Sequence, residues 1–378
     1  MAAAARRRLA GRIRAGLVVS SHDAPVPDGF ELIAGGHPLP TAASEAAGRR
    51  ALEIAAASTD DILLALISGG ASALMAVPAD GVTLDDKRAA TQQLLRAGAD
   101  IHTLNTLRKH VSAIKGGWLG ARARGGCVAL AISDVVGDDV SVIASGPTVP
   151  DASTFRDAQD VVRRFGGADA FPSAIVARLE RGAVGGIEET PKPGDARLSN
   201  ATTDVIGSRR DAMIGAAAEA RSRGYHVVHI DDPVVGDART IAPAYLRGAI
   251  ARANAIARPV CVVSSGETTV KVVGRGRGGR NQEFALAAAL SLADGDAGGA
   301  SRGVILASVG TDGVDGPTDA AGALADATTV ERGRSAGLDA RAHLSDNNAY
   351  AFFGAIGDLI HTGPTGTNVG DLQVILLA

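Results

Sequence analysis

The chain has 378 residues, 46% of them hydrophobic but only 3% aromatic, and its formal net charge at pH 7 is −3. The length favours two domains with aliphatic cores. The slightly acidic balance argues against nucleic acid or an anionic membrane as partner, since either needs a basic surface, and no apolar run is long enough to span a membrane. The two cysteines, Cys127 and Cys261, each begin an apolar run and indicate neither a disulfide framework nor a zinc site.

The chain begins with a basic, alanine-rich stretch, MAAAARRRLAGRIRAG. It lacks the apolar segment of a secretory signal, so it is interpreted as an amphipathic helix that leads into a strand at 16–20, and the protein is expected in the cytoplasm. Further apolar runs alternate with segments of helical composition, at 30–34, 61–67, 128–132, 204–206, 226–230, 260–263 and 304–309. This alternation predicts an α/β fold in which each domain is built on a mostly parallel sheet flanked by helices. The Gly- and Pro-rich stretch 181–197 is the best linker candidate, which places the domains at 1–190 and 198–378.

A small glycine turn follows the run at 61–67 and contains Ser68, Gly69, Gly70 and Ser72. A strand, a glycine turn and a helix start are the parts of a backbone nest for phosphate. The turn is not a Walker A loop, because it lacks the lysine of that motif. An ordinary strand-to-helix turn remains the alternative.

Cations are dense in the stretch IHTLNTLRKHVSAIKGG at 101–117. On a continuous helix Arg108 and Lys115 share a face, so they are expected to converge on one anion. The alternative is a solvated basic helix.

Polar residues begin where the buried run 128–132 ends, and ligands bind at this end of strands in open α/β sheets. Asp134, Asp138 and Asp139 surround one glycine, and such carboxylates suit a hard cation such as Mg²⁺. The Ser145-Gly146 turn that follows presents a hydroxyl and backbone N–H groups to an anion. An acidic surface loop and an ordinary turn are the alternatives.

The second half repeats this arrangement. Glu267 follows the run 260–263, and a predicted strand at 270–273 leads into the loop GRGRGGRNQE at 274–283. The loop formally matches G-x-G-x-x-G, but it lacks the acidic residue that a dinucleotide site needs about 20 positions on. Its arginines indicate instead a loop that binds phosphate or carboxylate, with Arg280 at the helix start as the strongest candidate and Asn281 beside it. A second acidic loop contains Asp312, and a polar loop with Asn368 precedes the last strand, 372–377.

These motifs together resemble the class II glycerate kinase family, whose members are sometimes labelled hydroxypyruvate reductase and carry a MOFRL-type C-terminal domain. The similar segments run in order along nearly the whole chain: LISGGASAL at 66–74, NTLRKHVSAIKGG at 105–117, SDVVGDDVSVIASGPTVPD at 133–151, GRGRGGRNQE at 274–283, GTDGVDGPTDAAG at 310–322 and TGTNVGDL at 365–372. Each motif alone is weak, but six in register are specific.

The resemblance implies a Rossmann-like N-terminal domain, a C-terminal domain with its MOFRL-type region at about 258–372, and transfer of the γ-phosphoryl of ATP to D-glycerate with Mg²⁺, usually at the 2-hydroxyl. Phosphoryl transfer requires mainly positioning and charge neutralisation. The catalytic candidates are accordingly Arg280, Asp134 and Lys115. The candidates for binding substrate or phosphate are Ser68, Gly69, Gly70, Ser72, Arg108, Ser145, Gly146, Glu267, Asn281 and Asn368, and the metal candidates are Asp138, Asp139 and Asp312.

One departure from the family concerns the N-terminus. Family members carry a first strand and a Gly-Lys-Ala-Ala turn before the helix that here begins at Met1, and that lysine is an active-site residue of the family. Two interpretations stay open: the start codon is assigned too late, or this form is truncated. For a truncated form we expect an N-terminal domain without its first strand, with lower stability and poor or no catalysis. Two alternatives stay open: an NAD(P)H-dependent hydroxypyruvate reductase, and a sugar-acid-binding protein without turnover. Phosphorylation at the 2- or the 3-hydroxyl also stays open. A homodimer is one candidate for the oligomeric state.

Overall fold

The computed structural model describes residues 1–21, 25–57, 59–295 and 303–378. The chain divides into two compact units, one formed by Met1–Ala131 with Asp138–Ile206 and the other by Ile132–Gly137 with Gly207–Ala378. The division after Ile206 differs from the predicted boundary at 190–198. The supposed linker belongs to the first unit because its polar side chains are anchored there: the Thr190 hydroxyl donates to Asp151 (2.9 Å).

The helices of the first unit are α1 Ala2–Leu9, α2 Ala42–Ala56, α3 Ala71–Leu74, α4 Leu84–Arg96, α5 Ile101–His110, α6 Trp118–Arg122, α7 Phe155–Arg164 and α8 Ser173–Ala183. Four of them, α2, α4, α5 and α7, begin where a side chain accepts a backbone N–H of the first turn. Thr41, Thr83 and Thr154 each do so within a reciprocal capping box, which satisfies donors that would otherwise lack a partner.

The strands of this unit are β1 Gly16–Ser20, β2 Phe30–Ala34, β3 Leu63–Ile67, β4 Cys127–Ile132 and β5 Ala201–Gly207. β1 pairs with β2 and β3 pairs with β4, both in parallel, and β4 lies between β3 and β5. Leu107, Phe155 and Ile175 are fully buried between the helices. The prediction of an α/β unit with parallel strands and flanking helices is confirmed, whereas its Rossmann-like character and absent first strand stay predictions.

The second unit contains the strands β6 His226–Asp237, β7 Val260–Thr269, β8 Val304–Gly310, β9 Gly322–Asp326, β10 Leu359–Ile360 and β11 Asp371–Leu377. They form one sheet in the order β10-β9-β8-β11-β7-β6. Its helices are α9 Arg209–Ser222, α10 Ala238–Ala253, α11 Arg280–Ala293, α12 Thr329–Ser335, α13 Ala340–Ser345 and α14 Ala349–Ile356.

The prediction of a mostly parallel sheet is wrong for the second unit. β6 and β7 are parallel, but β11 is antiparallel to both β7 and β8, and β9 is antiparallel to β8 and β10. The connection from β8 to β9 is a loop without a crossover helix, and such a connection joins antiparallel neighbours. The strand predicted at 270–273 is also absent: this segment is irregular, with Val272 and Val273 largely exposed.

Helix α11 runs through the centre of the second unit. Its residues from Asn281 to Leu292 are all buried, and its many alanines let α10, β8 and β9 pack closely against it. Phe284, Phe352 and Ile375 are fully buried in this core. The first residue of this rigid helix is Arg280, so its guanidinium is attached to a fixed support. No helix in the described part of the chain is long and apolar enough to cross a membrane.

Candidate active site

Arg280 is held by two carboxylates of the second unit. Its Nε lies 2.9 Å from both oxygens of Asp371, and its Nη1 donates to Glu267 Oε1 at 3.2 Å. About a third of the side chain remains exposed, and Nη2 donates to no residue that the structure describes. Burial of the guanidinium acts to lower the pKa of Arg280. The negative charges of Asp371 and Glu267 outweigh this effect and raise the pKa above its ordinary value. The guanidinium is therefore fixed at one edge and available at the other, as charge neutralisation of a phosphoryl group requires.

Asp371 is fully buried at the start of β11, where it pairs in register with Gly266 of β7 and Gly310 of β8. Besides Arg280, it accepts hydrogen bonds from Asn281 Nδ2 (2.8 Å) and the backbone N–H of Thr268 (3.2 Å). A buried carboxylate needs such partners to remain charged. The sequence prediction missed this residue, although it lies in the TGTNVGDL segment.

The N-terminus of α11 is occupied by the protein itself. Asp315 accepts the backbone N–H groups of Asn281 (3.0 Å) and Gln282 (2.9 Å) on its two oxygens. Burial raises its pKa to about 6 against the effect of these bonds, and the nearby Asp371 charge adds to the rise. Asn281 also accepts from Ser308 Oγ at 2.7 Å, so it orders the buried network rather than facing a ligand.

The glycines of the loop before α11 serve close packing of the chain. A Cβ at Gly274 would lie 2.2 Å from the carbonyl of Asp346, one at Gly276 would lie 2.3 Å from Asn348 Cβ, and one at Gly279 would lie 2.3 Å from Asp315 Cγ. In a dinucleotide site these glycines would instead make room for a pyrophosphate at an open helix N-terminus. The formal G-x-G-x-x-G match therefore has a structural explanation that removes the support for a nicotinamide site.

The tripeptide Asp346–Asn348 fixes the backbone of that loop, and sequence reasoning did not find it. Asn347 Oδ1 accepts the N–H groups of Val273 (2.8 Å) and Gly274 (2.9 Å). The Asp346 side chain accepts the backbone N–H of Arg275 (2.9 Å), and the Asn348 side chain accepts that of Arg277 (3.1 Å). Arg277 lies over the Tyr350 ring, 4.5 Å from its centroid, so it packs against the protein instead of facing solvent alone.

Glu267, Asp134 and Asn368 extend the site. Glu267 lies within β7 and is partly exposed. Burial raises its pKa; Arg280 acts against this, and the charges of Asp134 and Asp371 add to it. Asn368 Nδ2 donates to Asp134 Oδ2 at 3.2 Å, and its Oδ1 accepts the N–H of Gly370. The second unit thus brings four of the predicted residues into one polar cluster: Arg280, Glu267, Asp134 and Asn368.

The predicted metal residues do not form a metal-binding group. Among the described residues, no group of three or more His, Cys, Asp or Glu side chains is arranged to hold an ion. Asp312 Oδ1 accepts the N–H of Val314 (3.0 Å) and Asp139 Oδ1 accepts that of Ser141 (2.8 Å), each within its own loop. Asp138 has a buried oxygen without a hydrogen bond and a left-handed backbone, φ 55°. As metal ligands these three stay a prediction.

The first unit brings a second set of predicted residues together. Lys115 Nζ donates to the carbonyl and the hydroxyl of Ser72 (2.7 and 2.8 Å). The Ser72 and Ser145 hydroxyls lie 2.9 Å apart, and Ser145 donates to Asn105 Oδ1 at 2.9 Å. The turns at Lys115-Gly116-Gly117 and Ser145-Gly146 are joined by backbone bonds. This chain of hydroxyls ending in an ammonium group can donate to an oxyanion.

The glycine turn after β3 agrees less well with the prediction. Gly70 has φ 80° and lies against the ring of His37, whose Cδ2 would be 3.1 Å from a Cβ at this position. The following helix α3 is only one turn long, so it adds no helix dipole of useful length. Ser68 and Gly69 stay binding predictions that rest on the backbone of this turn alone.

Arg108 and Lys115 are neighbours, but not for the predicted reason. α5 ends at His110, so the two cations do not share one helix face. The chain turns after Val111 and returns Lys115 to the same region, where the charge of Arg108 helps to lower the pKa of Lys115. Burial is the larger cause of that lowering. Tertiary packing therefore makes them neighbours, and their convergence on one anion stays a prediction.

The turn at Ser145-Gly146 has a strained backbone, and substitutions of Ser145 measure that strain. Ala144, Ser145 and Gly146 all have positive φ, with 62° at Ser145, and such a conformation costs a non-glycine residue about 1–2 kcal/mol. We expect Ser145→Gly to be more stable than Ser145→Ala by about 0.5–1 kcal/mol in urea unfolding, because both lose the hydroxyl but only glycine relieves the strain. Ser291, inside α11 and without a hydrogen-bond partner, is the control: there alanine should be the more stable replacement. Equal stability of both Ser145 variants would contradict the strain.

Two family models match the chain. Residues 1–180 match "Domain of unknown function (DUF4147)", and residues 260–371 match the MOFRL family. The chain is 38% identical over 387 residues to the D-glycerate 2-kinase of Thermotoga maritima, covering 100% of this chain and 88% of the relative. It is also 41% identical over 370 residues to a protein of Agrobacterium vitis named "Putative hydroxypyruvate reductase", covering 96% and 81%.

The crystal structure of glycerate kinase from Thermotoga maritima superposes with a TM-score of 0.87 at 37% identity, covering 100% of this chain and 88% of that one. Identity at this level over the whole chain, together with the two domain matches in order, confirms the resemblance found in the sequence motifs. The chain belongs to the glycerate kinase family with an N-terminal DUF4147 domain and a C-terminal MOFRL domain.

Proposed function

We propose that the protein transfers the γ-phosphoryl group of ATP to the 2-hydroxyl of D-glycerate. The observation that carries the proposal is the Arg280 guanidinium, held at Nε by the buried Asp371, while Nη2 donates to none of the described residues. A fixed cation with one available edge suits the charge that spreads over the transferring phosphoryl oxygens. The relative named D-glycerate 2-kinase supports the choice of substrate and hydroxyl.

In this reaction the 2-hydroxyl oxygen bonds to the γ-phosphorus while the bond from that phosphorus to the β–γ bridging oxygen breaks, and ADP leaves. The hydroxyl proton passes to Asp134, whose carboxylate is oriented by Asn368 (3.2 Å). Arg280 stabilises the charge on the phosphoryl oxygens. Within the first unit, Lys115, Ser72 and Ser145 form a group that is proposed to bind an oxyanion.

The residues present fit a Mg²⁺ ion, which kinases of this chemistry use with ATP. Glu267 is a partly exposed carboxylate whose pKa is raised by burial and by the negative charges of Asp134 and Asp371. A cation beside Glu267 would relieve that repulsion, and Glu267 is our proposed ligand. Bound there with ATP, Mg²⁺ would supply charge neutralisation.

The test is an assay with ATP, Mg²⁺ and D-glycerate in which the product is passed directly to enolase. Enolase accepts 2-phosphoglycerate at once, whereas 3-phosphoglycerate requires phosphoglycerate mutase first. We expect ADP release with D-glycerate and an enolase signal without mutase. A signal only with mutase would overturn the choice of hydroxyl. NAD(P)H oxidation with hydroxypyruvate and no ADP release with D-glycerate would overturn the kinase.

A further inference from the structure

The first unit buries an unusual group of cations. Lys87 on α4 is 6% exposed and Lys115 is 2% exposed, and Arg108 on α5 is half-buried beside them. Burial lowers the pKa of both lysines; the charge of Arg108 adds to this at both, and the charge of Lys87 adds to it at Lys115. Buried lysines without a negative partner are rare, because desolvation of an ammonium group is costly. The arrangement therefore requires an explanation.

The partners of these cations are neutral. Lys87 Nζ donates to the carbonyl of Val77 at 3.2 Å, and Lys115 Nζ donates to two oxygens of Ser72. No ion pair joins Lys87, Arg108 or Lys115 to a carboxylate in the described part of the chain. Lys109, which is also buried, shows the contrast: its Nζ lies 3.2 Å from Asp151 Oδ1.

Neighbouring elements do not supply the missing charge. The acidic group that acts on Lys87 is Glu45 of α2, and Glu45 already pairs with Arg49 at 2.7 Å. Arg178 of α8 faces Lys87 with the same sign of charge. Three cations thus meet without a dedicated counter-charge in the described part of the chain.

We infer that Lys87, Arg108 and Lys115 form an oxyanion subsite that takes up a proton when its ligand binds. The ligand class is a phosphate or carboxylate group, which a group of three cations suits. The inference rests on the proposed function and deepens it, since it gives the first unit, through Lys87, a subsite of its own for a phosphate or carboxylate group. The proton uptake can be measured in a binding experiment, without turnover of substrate.

The proton uptake follows from the charge state of the empty site. Burial, with the Arg108 charge, lowers the pKa of Lys87 to about 7, and burial lowers the pKa of Lys115 well below its ordinary value. About one pH unit above that value the Lys87 amine is therefore mostly uncharged. An anion placed among these side chains favours the ammonium form and raises these pKa values again.

Titration calorimetry of the full chain, about one pH unit above the pKa of Lys87, tests the inference. Inorganic phosphate, D-glycerate and ATP are titrated separately, each in two buffers of different ionisation enthalpy. For at least one probe we expect a heat that depends on the buffer and corresponds to uptake of about one proton. Response to phosphate and ATP identifies a phosphoryl site, and response to D-glycerate alone identifies a carboxylate site.

Lys87→Met keeps the apolar stem and removes the amine. We expect it to bind the responding probe about tenfold more weakly and to lose most of the buffer dependence. Arg96→Met is the matched control, since it removes one cation from the exposed end of the same helix and should change neither. If Lys87→Met does not fold, the buffer dependence of the unmodified chain decides.

Binding of all three probes without buffer dependence, or no binding of any probe, would overturn the inference. Undiminished binding by a folded Lys87→Met variant would do the same. These results are distinguishable from failure of the proposed function: ADP release without proton-linked binding leaves the kinase intact, whereas proton-linked binding with no ADP release supports the subsite and removes the kinase.

Discussion

Replacing Arg280 by methionine is expected to lower kcat/KM for phosphorylation of D-glycerate about thousandfold. Methionine keeps much of the apolar stem but cannot neutralise charge on the transferring phosphoryl group. The loss should appear mainly in kcat, because the interaction strengthens as that charge develops. The measurement is ADP release under steady-state conditions, with circular dichroism to show that the variant is folded.

Two further variants sharpen this result. Arg280→Lys keeps a charge but loses the planar fork that bonds Asp371 at Nε and leaves Nη2 available, so a loss of more than about tenfold is expected. Arg275→Met removes a cation from the same loop, where the side chain has no ion pair with any described residue, and should leave kcat within about twofold of the unmodified enzyme. An Arg280→Met enzyme with activity within tenfold of the original would contradict the role of Arg280.

The sequence located the ends of the functional elements better than the partners of their side chains. Arg280 was predictable because a glycine- and arginine-rich loop that ends at a helix start is a local pattern. Its partner Asp371 lies 91 positions away. The two meet because β11 inserts between β7 and β8, and that insertion depends on packing that no local pattern encodes.

The acidic loop after β8 shows a second limit of the same kind. The sequence indicates Asp312 as a candidate metal ligand. In the structure, the carboxylate that enters the core is that of Asp315, which accepts the backbone N–H groups at the N-terminus of α11. Both residues follow the same strand and flank glycines, so composition does not distinguish them. Gly279 distinguishes them in the structure, because only the absence of a Cβ there lets Asp315 approach the helix.

Lys87 was overlooked for a related reason. The segment LDDKRAATQQLLR has the charged composition of a surface helix, and a lysine in such a helix is normally exposed. Only the packing of α4 against α5 and α8 buries it. Arg108 and Lys115 illustrate the converse, since they are neighbours although the helix that was predicted to align them ends at His110.

The largest expected effect on stability concerns Asp371. Asp371→Ala should lower the free energy of unfolding by about 3–5 kcal/mol, because it leaves the Arg280 guanidinium, Asn281 Nδ2 and the Thr268 N–H without their common acceptor in a buried place. Asp371→Asn keeps the shape and one acceptor oxygen, so a smaller loss is expected. Urea unfolding of both variants measures this, with Asp319→Ala as an exposed carboxylate control.

A double-mutant cycle separates the ion pair from the rest of the network. Arg280→Met alone leaves the Asp371 charge buried with only neutral donors, and Asp371→Asn alone leaves Arg280 facing an amide. Combined, the two changes remove both charges, so the double variant should lose less stability than the sum of the single losses, by about 1–3 kcal/mol. Because the Arg280 side chain is about one-third exposed, the lower part of that range is the expected value. Strict additivity would mean that Asp371 is held by Asn281 and Thr268 alone, and the positioning of Arg280 by Asp371 would then have no energetic basis.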